Sequence, residues 1–149
     1  MPTFLHKYQP GAVLRATGED AGVYLQSQCS ADLATAQDNL ATYGLWLSRK
    51  GKVDGDGFIL RRSEEDFLIV SYHCPAEALQ EKILTNVVAD DVEMENLTDR
   101  YNGISLWGSE TEAILEKIGL GCPGSSNWTS EEEVHSFKGR RSREGGVDW

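Results

Sequence analysis

Cysteine and histidine are scarce in this sequence, with three of each among 149 residues. Cys29, Cys74 and Cys122 are widely separated and form no CxxC pair, and no histidine lies at the spacing of a zinc ligand. The pattern argues against a zinc site. An odd number of dispersed cysteines also indicates a reducing, cytoplasmic compartment.

Long apolar runs are missing as well. No window approaches the roughly 18 apolar residues of a membrane span. The first residues, MPTFLHKYQPGAVL, have no apolar segment of the signal-peptide kind. We therefore expect neither a membrane anchor nor a targeting segment.

Basic residues are outnumbered, with 14 Lys and Arg against 24 Asp and Glu and a formal charge of −10. A surface of this charge repels nucleic-acid phosphate, so we expect no direct binding to nucleic acid. Two basic clusters remain, one formed by Arg49, Lys50 and Lys52 and one at residues 138–143 (KGRRSR). Each cluster is either a solvated turn or strand edge, or a place for a small anionic ligand.

The length and composition indicate one folded domain. A chain of 149 residues can build a core, and 40% hydrophobic with 26% charged residues is typical of a globular protein. The last residues, REGGVDW, carry no polar tail. We expect residues 1–149 to be a fragment of a longer protein.

The hydrophobic pattern predicts an α+β fold with a mostly antiparallel sheet. Strands are predicted at residues 12–17, 92–98, 102–108 and 134–142, and as a meander at 43–48, 58–62 and 67–72 with SEED as a tight turn. Helices are predicted at 20–28, 75–88 and 110–120, and a loop at 121–130. Ser109 and Glu112 have the spacing of a capping box for the third helix.

The stretch KGKVDGDGF (residues 50–58) allows three interpretations. A calcium loop of the EF-hand type fails because Phe58 takes a ligand position. A turn or bulge would use Gly51, Gly55 and Gly57 for unusual backbone angles and leave both aspartates in water.

The third interpretation of this stretch is a ligand site. A carboxylate beside glycines can accept hydrogen bonds from the N–H groups of a flat heterocycle such as a pterin or a purine. Tyr43 and Tyr72 lie on the flanking strands of the predicted meander and could form its walls. Core or cross-strand packing is the alternative role for these two tyrosines.

No nucleophile is evident in the sequence. His73 and Cys74 are adjacent, and neighbouring residues of a strand point to opposite faces, so they make a poor Cys–His pair. Serine elbows, P-loops and GxGxxG fingerprints are absent from the sequence.

Two segments resemble a known family. TGEDAGVYLQSQCSADL (residues 17–33) resembles the pattern TGxDxxxFLQGQxTxDV, and YGLWLSRKGKVDGDGFILRRSEEDFLIV (43–70) resembles the segment that follows it, in YgfZ-type relatives of the glycine-cleavage T-protein. The similarity continues through VEMENLTDRYNGISLWG (92–108).

The resemblance implies a tetrahydrofolate-binding fold of ferredoxin-like halves, of which residues 1–149 are the N-terminal part. In the T-protein pattern a tyrosine precedes the folate-contacting aspartate by thirteen positions, and Tyr43 and Asp56 have this spacing. Asp56 is therefore the expected ligand contact and Asp54 a solvated turn residue. Val70 matches an apolar folate contact, and Tyr72 replaces an asparagine of the pattern.

Some positions depart from the T-protein pattern. Its paired aspartates appear here as Gly55 and Asp56, and RKGKV (residues 49–53) follows the YgfZ branch. The branch signature KGCYxGQE, with its reactive cysteine, would lie beyond Trp149. No catalytic residue is assigned.

The resemblance implies a folate-binding accessory protein of the YgfZ type more than an independent catalyst. Such a protein supports iron-sulfur cluster assembly or repair, and thereby tRNA modification, with iron-sulfur client or assembly proteins as partners. Lys50 and Lys52 would face the anionic tail of the folate. Two alternatives stay open: a folate-dependent aminomethyl or one-carbon transferase, and a fragment without a surviving site.

Overall fold

A computed structural model describes residues 2–33, 38–124, 127–143 and 146–149. These residues form two units, which we name by their place in the sequence. The middle unit is Pro10–Tyr101, and the terminal unit combines Met1–Gln9 with Asn102–Trp149.

The described residues form ten strands, three α-helices and one 3-10 turn. The strands are β1 (Phe4–Tyr8), β2 (Ala12–Thr17), β3 (Ala41–Leu47), β4 (Val53–Ser63), β5 (Asp66–Ser71), β6 (Glu93–Asn96), β7 (Gly103–Trp107), β8 (Trp128–Glu131), β9 (Val134–Lys138) and β10 (Val147–Asp148). The helices are α1 (Ala21–Gln28), α2 (Ala76–Leu84) and α3 (Thr111–Lys117), and the 3-10 turn is Thr98–Arg100. None of these helices is long and apolar enough to span a bilayer.

The middle unit contains a five-stranded sheet in the order β3-β4-β5-β2-β6, and all its pairings are antiparallel. Without β3, the chain order is β2-α1-β4-β5-α2-β6, which is the ferredoxin-like arrangement. β3 extends this sheet along the free side of β4. The expected α+β fold with an antiparallel sheet is confirmed.

The core of the middle unit lies between one sheet face and the two helices. Leu25 of α1 and Ile83 of α2 pack in one cluster with Trp46, Phe67 and Ile69 of the sheet, and all five are fully buried. Burying a large apolar side chain stabilises a fold by about 1.5–3 kcal/mol. This cluster therefore fixes α1 and α2 against the sheet.

The terminal unit contains a second antiparallel sheet, in the order β1-β7-β10-β9-β8. Leu106, Leu115 and Val147 form its buried cluster, so α3 packs on β7 and β10. The backbone N–H of Glu110 donates to Oγ1 of Thr3 at 3.1 Å. This bond satisfies a donor near the start of α3.

Several predicted boundaries are wrong. Helix α2 ends at Leu84 instead of residue 88, and β8 begins at Trp128 inside the predicted loop, of which residues 125–126 lie outside the described residues. The N-cap of α3 is Glu110, without a side-chain cap bond, so the predicted capping box is not formed. Strand β1 was not predicted.

The largest correction concerns β4, which begins at Val53 rather than at Phe58. The residues of the DGDG stretch are therefore part of a strand and not of a turn. The turn is confined to Ser48–Lys52, where the N–H of Gly51 donates to the carbonyl of Ser48 at 2.9 Å. The glycine-rich pattern correctly indicated a turn, but it extended the turn several residues into what is the start of β4.

Candidate functional site

The candidate site lies on the sheet face of the middle unit opposite the helices. Tyr43, Phe58 and Val70 are directly paired across β3, β4 and β5. Asp56 lies two residues before Phe58, and Tyr72 lies two residues after Val70. Because side chains alternate along a strand, all five belong to one face.

The carboxylate of Asp56 is held by Tyr43, whose hydroxyl donates a hydrogen bond to Oδ2 of Asp56. Both side chains are half-buried. Among the described residues, no other hydrogen bond or ion pair reaches this carboxylate, so Oδ1 keeps its acceptor capacity. Asp56 thus combines a fixed orientation with an available oxygen.

Aromatic rings continue from Tyr43 along the same face. The rings of Tyr43 and Phe58 meet edge to face with centroids 5.3 Å apart, and those of Phe58 and Tyr72 do so at 5.6 Å. Phe58 and Val70 are buried, whereas Tyr72 is partly exposed. The result is an aromatic and apolar surface beside a single carboxylate, which suits a flat ligand with N–H donors.

Asp56 is flanked by two glycines, Gly55 and Gly57, because neither position has room for a side chain. A Cβ at Gly57 would lie 2.8 Å from the carbonyl oxygen of Val70, and a Cβ at Gly55 would lie 2.9 Å from Cδ1 of Leu79. Among the three glycines of this stretch, only Gly51 has a positive φ, of 75°. Close packing, and not unusual backbone angles, therefore explains Gly55 and Gly57.

Asp54 is exposed, as expected, but it lies in β4 and not in a turn. Trp46 pairs with Gly55 and Leu47 pairs with Val53, so Asp54 is the extra residue of a β-bulge. Its Oδ2 lies 2.9 Å from Nζ of Lys82 on α2. The bulge directs this carboxylate to the helix and away from Asp56.

Cys74 lies beneath Asp56, on the helix side of the sheet. A Cβ at Gly55 would be 3.4 Å from Sγ of Cys74. Burial is the main cause that raises the pKa of the Cys74 thiol, and the Asp56 carboxylate adds to it, while the backbone N–H of Asp56 opposes the rise. A thiol with a raised pKa is a weak nucleophile at neutral pH.

Lys50 and Lys52 lie in the exposed turn before β4. Their backbone N–H groups donate to Oγ of Ser48, at 3.3 Å and 3.1 Å. At the rise of a strand, Lys52 is up to about 13 Å along the chain from Asp56, so the two lysines lie apart from this carboxylate.

Sequence reasoning grouped Tyr43, Asp56, Val70 and Tyr72, and the structure places these four on one face. It missed Phe58, which joins the two tyrosines, and Cys74. Phe58 had a detectable signal, since it follows Asp56 by two residues and so shares its face in an extended chain. Cys74 had none, because its position depends on how α2 packs.

Comparison with known proteins defines the family. Residues 12–128 match the GCVT N-terminal domain family. The match covers well over half of the chain, so this protein belongs to that family. The predicted relationship to the glycine-cleavage T-protein is confirmed.

Several curated relatives are aminomethyltransferases. Those of Caldanaerobacter subterraneus subsp. tengcongensis and Thermoanaerobacter pseudethanolicus are 29% and 28% identical to this chain over 101 residues. Each alignment covers 68% of this chain and 27% of the relative. The chain thus spans about a quarter of the length of these relatives.

Two solved structures share the fold. The glycine cleavage system aminomethyltransferase T from Bartonella henselae matches with a TM-score of 0.84 at 17% identity, over 98% of this chain and 41% of that chain. The heterotetrameric sarcosine oxidase from Corynebacterium sp. U-96 matches with a TM-score of 0.54 at 12% identity, over 98% and 74%. At these identities the similarity concerns the fold alone.

Proposed function

We propose that this chain binds tetrahydrofolate, or a one-carbon derivative of it, as part of a folate-dependent transferase of the aminomethyltransferase type. The hydrogen bond from Tyr43 to Asp56, on a face shared with Phe58, Val70 and Tyr72, is the observation that carries the proposal. Membership of the GCVT family and the aminomethyltransferase relatives support transfer as the reaction.

Asp56 has the central role in this proposal. Its available oxygen accepts hydrogen bonds from N–H groups of the pterin, while Tyr43 keeps the carboxylate in place. Bound tetrahydrofolate would supply N5 as the atom that receives the one-carbon unit. Asp56 orients this nitrogen and, as an acceptor, favours its nucleophilic form.

Lys50 and Lys52 are assigned to the opposite end of the ligand. The glutamate tail of a folate is anionic, and both lysines are exposed cations. Contacts of this kind contribute about 1 kcal/mol or less each, so they guide the tail more than they set the affinity.

The aligned part is about a quarter of each relative, so the proposal for residues 1–149 covers folate binding and not the whole reaction. Residues 1–149 are proposed to hold the folate as an N-terminal folate-binding domain. They are not proposed to carry out the transfer by themselves.

An accessory role of the YgfZ type is the second candidate. RKGKV (residues 49–53) and Gly55, at the first of the T-protein's paired aspartates, favour it. In this role folate binding supports iron-sulfur cluster assembly or repair, with effects on tRNA modification through an iron-sulfur client.

Calorimetric titration with tetrahydrofolate and 5-formyltetrahydrofolate tests the folate site. Wild-type protein should bind saturably, and Asp56→Ala should weaken binding by about 1.5–3 kcal/mol, the cost of a lost charged hydrogen bond. Asp54→Ala is the matched control, because it removes a carboxylate two residues away that pairs with Lys82. Absence of binding to wild-type protein, or equal losses in both variants, would contradict the proposal.

A turnover assay separates the two candidate functions. With an aminomethyl-lipoyl donor, a transferase should convert bound tetrahydrofolate to its methylene form and release ammonia and the free dihydrolipoyl thiol, and Asp56→Ala should abolish this conversion. Folate binding without conversion by the full-length protein would favour the accessory role.

A further inference from the structure

The hairpin of β3 and β4 ends in residues 47–53, which we call the β3–β4 tip. Arg49, Lys50 and Lys52 are exposed in this tip. Within residues 2–33, 38–124, 127–143 and 146–149, no carboxylate lies within 4.0 Å of their charged groups. The tip therefore carries three cations that the described part of the chain does not neutralise.

The other lysines and arginines of the middle unit are all paired with carboxylates, at N···O distances of 2.9–3.6 Å. The pairs are Arg15 with Asp66, Arg61 with Asp38, Arg62 with Asp66, Lys82 with Asp54, and Arg100 with Glu95. On a chain of formal charge −10, the tip is thus an exception. An acidic partner is repelled by most of this surface and attracted by the tip, so charge directs where it binds.

Ser48 holds the backbone of the tip in place. Its N–H donates to the carbonyl of Lys52 at 2.8 Å, and its carbonyl accepts from the N–H of Gly51. Its Oγ accepts from the N–H groups of Lys50 and Lys52. Because the backbone that carries the cations is already ordered, a partner does not have to order it on binding.

Two exposed aliphatic side chains lie directly behind the turn. Leu47 is 42% exposed and Val53 is 58% exposed, and the two are paired in the β3–β4 ladder, so they share one face. Alternation places Lys52 on the opposite face. Arg49 and Lys50 lie in the turn beyond the ladder, where their long side chains can extend over either face. A contact with the tip thus combines an aliphatic pair with two cations.

We propose that the β3–β4 tip binds an acidic segment of a partner protein, in which carboxylates flank an apolar residue. The carboxylates pair with Arg49 and Lys50, and the apolar residue lies on Leu47 and Val53. A bilayer fits this order poorly, because the cations would meet the headgroups before the aliphatic pair could insert. Nucleic acid would leave the aliphatic pair without a contact. The contact requires no folate, so this proposal is independent of the proposed function.

Amide chemical shifts of the ¹⁵N-labelled full chain test the proposal, with the blocked peptide EELEE as the probe. EELEE should shift the amides of residues 47–53 saturably. The peptide QQLQQ keeps the leucine without the charges, and it should bind about threefold or more weakly, as expected for two solvated ion pairs. EESEE keeps the charges without the leucine and should also bind more weakly. Equal binding of the three peptides, or shifts centred outside residues 47–53, would overturn the proposal.

Matched variants separate the aliphatic pair from the cations. Val53→Ser should weaken EELEE binding, whereas Val88→Ser changes another exposed valine of the same unit and should not. The double variant Arg49→Gln/Lys50→Gln should lower the affinity about three- to tenfold. Its control is Lys117→Gln/Arg143→Gln, which removes two exposed cations of the terminal unit. Equal effects of a variant and its control would refute the tip as the binding surface.

Asp56→Ala distinguishes this surface from the candidate folate site, since Lys50 is also assigned to the folate tail. The variant should weaken folate binding and leave EELEE binding unchanged. Loss of both would contradict a separate surface. Vesicles of phosphatidylserine and phosphatidylcholine are the last probe. If they shift residues 47–53 and EELEE does not, the tip binds a membrane and the proposal of a protein partner is wrong.

Discussion

The hydroxyl of Tyr43 donates to Oδ2 of Asp56 although the two residues are not direct neighbours in the β3–β4 ladder. Tyr43 pairs with Phe58, and Asp56 pairs with Leu45. The bond is therefore diagonal, a reach that a long aromatic side chain can span on an antiparallel sheet. It gives the carboxylate a fixed direction before any ligand arrives.

A double-mutant cycle with Tyr43→Phe and Asp56→Ala should reveal this bond. We expect each single variant to lower the free energy of unfolding by about 1 kcal/mol, because each removes one partner of a half-buried hydrogen bond. The double variant should lose less than the sum, since the bond is lost only once. Urea denaturation measures all four proteins, and strictly additive losses would argue against the bond.

Gly57→Ala should be strongly destabilising. The added methyl would lie 2.8 Å from the carbonyl oxygen of Val70, and a backbone atom of a central ladder moves only with the strands. We expect a loss of about 1–3 kcal/mol, as for other overpacked sites. Gly121→Ala is the control in urea denaturation, because its nearest neighbour would be 3.8 Å away. A similar loss in both variants would contradict the packing argument.

Tyr24→Phe tests the contact between the two helices of the middle unit. The Tyr24 hydroxyl donates to the backbone carbonyl of Ile83 at 2.5 Å, and its loss leaves a buried acceptor without that donor. We expect the free energy of unfolding at pH 7 to fall by about 1–2 kcal/mol. Chemical denaturation of both proteins gives this difference.

The same tyrosine should make stability fall at high pH. Burial raises the pKa of Tyr24 from its usual 10.0, so the folded state retains the phenol proton more tightly than the unfolded state. Its contribution is complete below the unfolded pKa and is lost as the pH rises toward the folded one. As the pH rises above 10.0, wild-type stability should therefore fall more steeply than that of Tyr24→Phe. Parallel slopes would contradict this assignment.

Thiol labelling tests whether the Asp56 carboxylate lies close enough to Cys74 to raise the pKa of its thiol. Asp56→Asn removes one of the causes that raise the pKa of Cys74, so alkylation by iodoacetamide at pH 8 should become faster at this residue. Cys29 is the internal control, because burial raises its pKa without a contribution from Asp56. Mass spectrometry of digests resolves the two sites. Equal acceleration at both cysteines would indicate a general loosening of the fold instead.

The sequence predicted the elements with clear periodicity and failed where tertiary packing decides. The meander and its turn at Glu64–Glu65 could be predicted because alternating strands are bounded by polar residues. The strand around Asp54 and Asp56 could not be predicted in this way. Gly57 is required there because the backbone of a neighbouring strand leaves no room for a side chain, and the sequence does not show that contact.

The buried face of α1 shows the same limit. From the sequence alone, Val23, Tyr24 and Ser27 would share one helical face, with Leu25 and Gln28 on another. In the structure Tyr24 and Leu25 are both buried and Val23 is 78% exposed. In AGVYLQSQ, apolar residues occur on more than one side of the helix, so periodicity does not choose between them. The candidate site was found through a thirteen-residue spacing, and its aromatic continuation through Phe58 became visible only from the strand register.

The position of β2 in the middle of its sheet affects how the chain can fold during synthesis. β2 pairs with β5 on one side and with β6 on the other. During synthesis, residues 12–17 therefore cannot complete these pairings until the chain has been made through Ser71 and Asn96, where the two partner strands end. The β3–β4–β5 meander has local contacts and can form earlier. A ribosome that stalls before residue 96 would therefore expose a central strand with one open edge, the kind of edge at which chains associate wrongly.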